Sequence, residues 1–385
     1  MDIKRAYRFR FYPSEEQAKQ LAQTFGCVRF VYNWALRLRS DAWKQRQESI
    51  SYGQSSAALT ALKKTPEHAW LKDVSSVPLQ QTLRHLNTAF GNFFAKRGRY
   101  PRFKRKHGSQ SAEYTPSAFK WDGQTLKLAK MKRPLDVRWS RQVPKGARVT
   151  TVTVSRDAAG RYFVSMLVDD AVAPLPKVKG QVGIDLGLTH FATLSTGEKV
   201  APANVLRKQE KKLARLQRQM ARKKKGSSNR VKARIKIARL HARIADTRRN
   251  FLHQLSTRLV RENQVIAVES LSVSNMLRNH CLAKSITDAS WSEFLRQLQY
   301  KCLWYGRTLV TVDRWFPSSK RCSRCGYTHT KMPLHVRSWQ CPECGITHDR
   351  DINAARNLLA AGLAVSACGE LVRPTCASAQ LRPWP

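Results

Sequence analysis

Three carboxylates stand where carboxylates should be costly. In "QVGIDLGLTH" (181–190), Asp185 interrupts an apolar run of Val182, Ile184, Leu186 and Leu188. In "QVIAVES" (264–270), Glu269 closes a second such run. In "THDRDINAARNLL", Asp351 opens a helical pattern two residues after Asp349. An isolated ionised carboxylate is costly in an apolar layer. Several of them in one small site disfavour each other's charged form. A divalent cation relieves this, and oxygen donors without Cys or His suit Mg²⁺ or Mn²⁺. Two such ions can activate a water and stabilise the leaving oxygen of a phosphodiester. A lone Asp at a strand centre is ordinarily structural; three acids in order on such elements point to metal chemistry instead.

A second set of residues points to another metal. "CSRCG" (322–326) and "CPECG" (341–345) place Cys322, Cys325, Cys341 and Cys344 in two Cys-x₂-Cys pairs. Four thiolates suit tetrahedral Zn²⁺, and the spacing is that of a zinc ribbon. The Gly after each pair lets the chain turn tightly under the ion. Such a closed site is structural, its binding energy being folding energy. The other five of the nine cysteines, Cys27, Cys281, Cys302, Cys368 and Cys376, are scattered and read as small buried hydrophobes or loop residues.

These residues need elements to hold them. "IKRAYRFRFY" (3–12) alternates basic with apolar residues and reads as a strand with one cationic face. Ser14 caps a helix, and helical spacing continues to about residue 97. "RGRYPRFKRKHGSQS" breaks it. From about 113 to 170, "TLKLAK", "ARVTTVTVSRD" and "RYFVSMLVD" alternate as strands. The first strand has no sheet of its own, so it is expected to join this later β-region. After the linker "APLPKVKG", residues 181–201 read as three strands. A helical hairpin turned at "KGSSN" follows, its outer face almost wholly Lys and Arg. Then come "VIAVE" as a strand, "WSEFLRQLQYKCLWYGR" as a helix, "TLVTVD" as a strand and "DRDINAARNLLAAGL" as a helix. The tail, 366–385, reads as loose. This order is the layout of an RNase H-like fold, whose metal-binding acids sit on the first strand, the fourth strand and the last helix. "GIDLG" also resembles the first phosphate loop of actin-like and sugar-kinase ATPases. Those proteins need a second Gly-rich loop of the "DxGGGT" kind, and the sequence has none.

Composition narrows the partners. The chain has 385 residues, enough for two or three domains, and a formal net charge of +44 from 70 Lys and Arg against 26 Asp and Glu. So large a charge suits a polyanion, with nucleic acid ahead of an anionic membrane. The N-terminus lacks the apolar core of a signal peptide, no apolar run reaches spanning length, and a cytoplasmic location is expected.

Taken together, "GIDLGLTHFATLSTG", "VIAVESL", "FPSSKRCSRCG", "CPECGITHDRDINAARNLL", "FRFYPSEEQ", "VRFVYNWAL" and "YPRFKRK" resemble the TnpB (OrfB) family of transposon-encoded proteins, relatives of the type V CRISPR effector nucleases. The resemblance covers nearly the whole chain. It implies an RNA-guided DNA endonuclease that cuts double-stranded target DNA beside a short adjacent motif, with a guide RNA from the transposon end as partner. It implies a multidomain α/β architecture. Residues 1–14 and 113–178 would form a β-barrel wedge domain, interrupted by a helical recognition lobe at 15–112. Residues 179–317 and 349–365 would form a RuvC-type, RNase H-like nuclease domain, with the four-cysteine zinc ribbon inserted at 318–348. Residues 366–385 would be a flexible tail. By the same match Asp185, Glu269 and Asp351 are the nuclease triad, with Asp349 the alternative third member and Asn353 supporting them. Tyr52, Ser56 and Gln80 lie in segments matching those that face the adjacent motif. The implied protein is a cytoplasmic, nucleoid-associated monomer of bacterial or archaeal origin. A nuclease-inactive RNA-guided repressor and a transposase are the alternatives, and all three acids are present.

Overall fold

The computed structural model describes residues 2–367 apart from 107, 109, 145 and 334. The chain divides into two compact units at Ala171/Val172, so the expected linker opens the second unit.

The first unit starts with β1 (Asp2–Phe11). Helices α1 (Glu15–Arg46), α2 (Tyr52–Leu62) and α3 (Ser76–Phe94) follow, then β2 (Gln110–Tyr114), β3 (Phe119–Trp121), β4 (Leu126–Leu128), β5 (Val137–Arg138), β6 (Arg148–Arg156) and β7 (Tyr162–Ala171). β1 pairs with β7 along its whole length, from Asp2↔Ala171 to Phe11↔Tyr162. The first strand therefore does join the later β-region. Its alternation explains why: Tyr7, Phe9 and Phe11 are buried, while Arg8 on the opposite face lies 4.0 Å from the Phe163 ring centre. Ser14 and Gln17 cap α1 reciprocally, so the helix starts where its sequence signal lies. The strand order is β2-β6-β7-β1-β5. Among the described residues β2 and β5 are the end strands of this order. β5 is only two residues long, and just before it the Asp136 carbonyl accepts from Tyr12 N–H at 2.9 Å while Leu135 N–H donates to the Leu126 carbonyl of β4 at 2.8 Å.

The second unit carries β8 (Gln181–Leu186), β9 (Ala192–Leu194), β10 (Lys199–Val200), α4 (Val205–Ala221), α5 (Ser228–Glu262), β11 (Val265–Glu269), α6 (Val273–Met276), α7 (His280–Ala289), α8 (Trp291–Tyr305), β12 (Thr308–Val312), β13 (Ser338–Gln340), β14 (Thr347–Asp349) and α9 (Arg350–Ala367). Its main sheet runs β10-β9-β8-β11-β12. β8, β9 and β10 are antiparallel neighbours, while β8, β11 and β12 are parallel. This is the expected layout, with α6 and α7 added where the sequence reading passed over "SNMLRNHCLAKSITDA". The hairpin of α4 and α5 closes around Val205, Leu240 and Ile244.

The sheet's two faces differ. Val182, Ile184, Leu186, Ile266 and Val268 pack with Leu252, Leu255 and Leu259 of α5 and Phe294 and Leu298 of α8. The intervening residues face α9. At Gly183 an added Cβ would lie 2.0 Å from the Ala355 carbonyl oxygen, and at Gly362 it would lie 2.6 Å from the Ala267 Cβ. Glycine at these positions lets helix and sheet approach to backbone contact. Among the described residues, no helix is long and apolar enough to cross a membrane.

Candidate active site

The register of β8 and β11 sets the first two carboxylates side by side. Ala267 lies beside Gly183 and Val268 beside Ile184, so the next pair outward is Glu269 and Asp185. Both continue the α9-facing rows of their strands, because side chains alternate with a period of two. Helix α9 passes over Gly183 with Ala355 and Leu359. One turn earlier along α9 is Asp351, near the same strand ends.

Electrostatics reports this convergence. Asp185 is pushed up to about 7 by burial first, then by the negative charges of Asp351 and Glu269, with Arg350 opposing. Burial also raises Glu269. Among the described residues, the four ribbon cysteines form the one group of three or more candidate ligands whose atoms all lie within 4.8 Å of one another.

Asp349 has other partners. Its Oδ1 accepts from the backbone N–H of Asp351 at 3.1 Å and of Ile352 at 3.0 Å, capping α9. Its Oδ2 accepts from Lys199 Nζ at 2.6 Å. Burial alone would raise it; Lys199 and the cap outweigh burial and hold it below its ordinary value. Among the described residues Asp351 instead has only Arg337, 3.8 Å away, as an ion-pair partner. The structure thus gathers Asp185, Glu269 and Asp351 and employs Asp349 to seat the helix. Arg337 and Lys199 escaped the sequence reading because nothing local marks them.

The four thiols close as their spacing requires. Cys322 and Cys344 Sγ are 3.6 Å apart, and Cys325 and Cys341 Sγ are 3.5 Å apart. Cys322 N–H donates to the Tyr327 carbonyl and Gly326 N–H to the Cys322 carbonyl; Cys341, Ile346 and Gly345 repeat the pattern. Gly326 and Gly345 take φ of +83° and +68°, the left-handed turn that glycine adopts without strain. Burial opposes ionisation of Cys322, but the N–H groups of Cys325 and Arg324 and the His348 ring outweigh it and bring the thiol to about 5. His348 Nε2 lies 3.0 Å from that sulfur, a contact the sequence reading missed. A compact set of four thiols of this kind fits zinc. Cys27 and Cys302 are buried as expected, Cys281 is exposed, and Cys368 and Cys376, like most of the tail, lie outside the described residues.

Two asparagines bind the ribbon to α9. Asn353 Oδ1 accepts from Ser323 N–H at 2.9 Å, and its Nδ2 donates to the Arg321 carbonyl at 2.7 Å. Asn357, one turn on, donates to the carbonyls of Ser318 and Arg321. Asn353 thus finds its partners in the ribbon backbone, not in the carboxylates it was expected to support. In the first unit, Tyr52 opens α2 and its hydroxyl accepts from Arg84 Nε at 3.4 Å. Ser56 is half-buried on α2, and Gln80 is exposed on α3, one turn before Arg84. Arg84 joins these two helices and was not singled out from sequence.

Comparison with known proteins agrees with this architecture. The OrfB_IS605 family model, described as "Probable transposase", matches residues 152–280. "Cas12f1-like, TNB domain" matches 291–358. A "Helix-turn-helix domain" model matches 1–48, which here is strand β1 followed by the single long helix α1. A Streptomyces pristinaespiralis protein named "Putative RNA-guided DNA endonuclease" is 60% identical over 373 residues, covering 97% of this chain and 92% of its own. The Escherichia coli K12 protein "Putative RNA-guided DNA endonuclease InsQ" is 38% identical over 385 residues, covering 96% and 94%. A solved "Cas12f1-sgRNA-target DNA complex" shares the fold at TM-score 0.57 and 12% identity, over 93% of this chain and 98% of that one. With identity of this level running through almost the whole of both chains, this protein belongs to the TnpB (OrfB) family.

Proposed function

We propose that this chain is an RNA-guided DNA endonuclease that hydrolyses phosphodiester bonds at Asp185, Glu269 and Asp351. One observation carries the reading: Asp185, half-buried on β8, is raised by desolvation first and then by two further carboxylates, one from the neighbouring strand and one from α9. Gathering like charges destabilises a fold, so the cluster is explained by what it binds. Its donors are carboxylate oxygens alone, a set that fits Mg²⁺ or Mn²⁺, and Asp185, Glu269 and Asp351 would together hold two such ions. When bound, such ions supply an activated water and stabilise the leaving oxygen.

The chain's own contribution is placement. β8 and β11 hold Asp185 and Glu269 on adjoining strand ends. The cap at Asp349 and its bond to Lys199 fix the first turn of α9, from which Asp351 projects. Without a cation, burial and the two neighbouring carboxylates let Asp185 hold its proton to a higher pH than a free carboxyl would. The ribbon holds one structural Zn²⁺ on Cys322, Cys325, Cys341 and Cys344, and through Asn353 and Asn357 steadies α9.

The relatives' names, the Cas12f1 complex and the charge of +44 support a guide RNA and double-stranded target DNA as partners. In this reading residues 1–14 and 113–178 are the wedge domain and 15–112 the recognition lobe. Tyr52, Ser56 and Gln80 are its readers of the adjacent motif. Residues 179–317 and 349–365 are the RuvC-type nuclease domain, with the ribbon at 318–348. The protein acts as a monomer in a prokaryotic cytoplasm.

The test is co-expression with the DNA that flanks the gene, purification with whatever RNA follows, and incubation with Mg²⁺ and a plasmid carrying the guide-matched sequence. Guide-dependent cutting is expected, with Asp185→Ala binding the target but leaving it intact. Tight guided binding without cutting by the wild type would make the protein a repressor. Cutting of transposon ends without any RNA would make it a transposase.

A further inference from the structure

Among the described residues, Trp315 is the most exposed large hydrophobic side chain, at 80%. A tryptophan held in water forgoes the burial that aromatic side chains ordinarily gain. A mobile loop could leave it exposed by default, but this loop is tied at both ends. At one end β12 is hydrogen-bonded to β11, with Val312 the cross-strand partner of Glu269. Asp313 then holds the turn: its Oδ1 accepts from Trp315 N–H at 2.8 Å, and its carbonyl accepts from Phe316 N–H at 3.1 Å. At the other end Asn357 holds the carbonyls of Ser318 and Arg321. The backbone is fixed while the ring is left out.

Position and chemistry limit what the ring can meet. Trp315 is three residues on from Val312, a reach of at most about 11 Å. That spans about three stacked nucleotides at roughly 3.4 Å each. The Arg314 guanidinium lies 5.2 Å from the indole centre, so a cation sits beside the aromatic surface. Arg321 and Arg324 are exposed further along the same segment. A flat ring among cations suits a partner with flat faces and negative charge. Bases inside a duplex offer the grooves only their edges, whereas an unpaired base offers its face.

We infer that Trp315 is a stacking platform for an unpaired base of the DNA strand entering the carboxylate site, with Arg314 against the adjoining phosphate. It is a positioning residue: it touches the strand beside the reacting phosphate and sets which phosphate meets Asp185 and Glu269. The inference rests on the nuclease reading and names the substrate form at that site.

The test uses guide-loaded protein in two arms. In the first, Asp185→Ala protein, which leaves DNA whole, is bound to guide-matched targets carrying 5-iododeoxyuridine at successive positions and irradiated. A cross-link mapping to Trp315 from one or two unpaired nucleotides, and lost on adding Trp315→Ala, is the expected result. Cross-links only from paired nucleotides, or none to Trp315, would overturn the inference. In the second arm, cutting is timed for Trp315→Ala, Trp315→Phe and Trp315→Leu. Stacking energies of roughly 1–3 kcal/mol predict a loss of about 5- to 150-fold for Ala. Phe should restore most of the rate and Leu little, with guided target binding unchanged and the cut position blurred in the Ala variant. Equal rescue by Leu would show apolar packing and contradict stacking. If the wild type does not cut at all, the nuclease reading falls, and the cross-link still decides this one.

Discussion

The two candidate metal centres share helix α9, which Asp351 opens and Asn353 and Asn357 tie to the ribbon, and they are built in opposite ways. The thiol centre is local. Each Cys-x₂-Cys-Gly segment folds on its own backbone hydrogen bonds, and the four sulfurs come within 4.8 Å without help from the sheet. The carboxylate centre is assembled from β8, β11 and α9, which are separated by long stretches of chain. The ribbon is thus specified by a few residues. The carboxylate site depends on how closely a helix approaches a sheet.

Removing zinc should break the comparison most severely. Structural zinc contributes on the order of 10 kcal/mol to small folds. Chelation, or Cys322→Ser with Cys341→Ser, is expected to open residues 318–348 to protease while the sheet core around Ile184 and Val268 stays protected. Guided cutting should fall with it, because Asn353 and Asn357 lose the carbonyls that steady α9. Protection of the ribbon in zinc-free protein would show that the thiols are not its organising centre.

The carboxylate centre should reveal itself through pH. Asp185 is raised in the folded protein to about 7 from an ordinary 3.8, so the folded state binds more protons than the unfolded state between those values. Stability contributed by this group is therefore lost as pH rises through that window and is flat above it. Thermal melts without added divalent ion should decline from pH 4 to pH 7 by more in the wild type than in Asp185→Asn. Above pH 7 the Asn variant should melt higher than the wild type. Parallel melting profiles would mean that Asp185 is not crowded by Glu269 and Asp351.

Gly183→Ala probes the approach of helix to sheet. Its Cβ would meet the Ala355 carbonyl at 2.0 Å, and overpacking of this kind costs about 1–3 kcal/mol. The shift should lower cutting more than guided binding, since it moves Asp351 away from Asp185. A smaller effect is expected of Asn357→Ala, which leaves the carbonyls of Ser318 and Arg321 without this donor for about 1–2 kcal/mol. Hydrogen exchange should rise at 318–325 and stay unchanged in β8.

The balance of local against assembled order also explains what was legible in the sequence. The ribbon was readable because ligand type, spacing and the turning glycines are adjacent. The strand order of the second unit was readable because buried parallel strands are continuous apolar runs, and the first strand's place beside β7 followed from its alternation. The choice between Asp349 and Asp351 was open on the residues alone, because cap and projecting acid are two positions apart on the same turn. Only the bonds to Lys199 and to the α9 N–H groups separate them. The resemblance implies that Asn353 supports the carboxylates; the helix instead turns it toward the ribbon. Arg84, Lys199 and Arg337 act through contacts between distant segments and leave no local signal.

The central claim is that Asp351, not Asp349, completes the site with Asp185 and Glu269. The most direct measurement is guided cleavage of a matched plasmid by Asp351→Ala and Asp349→Ala side by side, with target binding measured for each. The account predicts that Asp351→Ala loses at least about a thousandfold in cutting, roughly 4 kcal/mol of the barrier, with binding intact. Asp349→Ala should lose only several-fold, the effect of a weakened cap and one ion pair. A dead Asp349→Ala beside an active Asp351→Ala would contradict it.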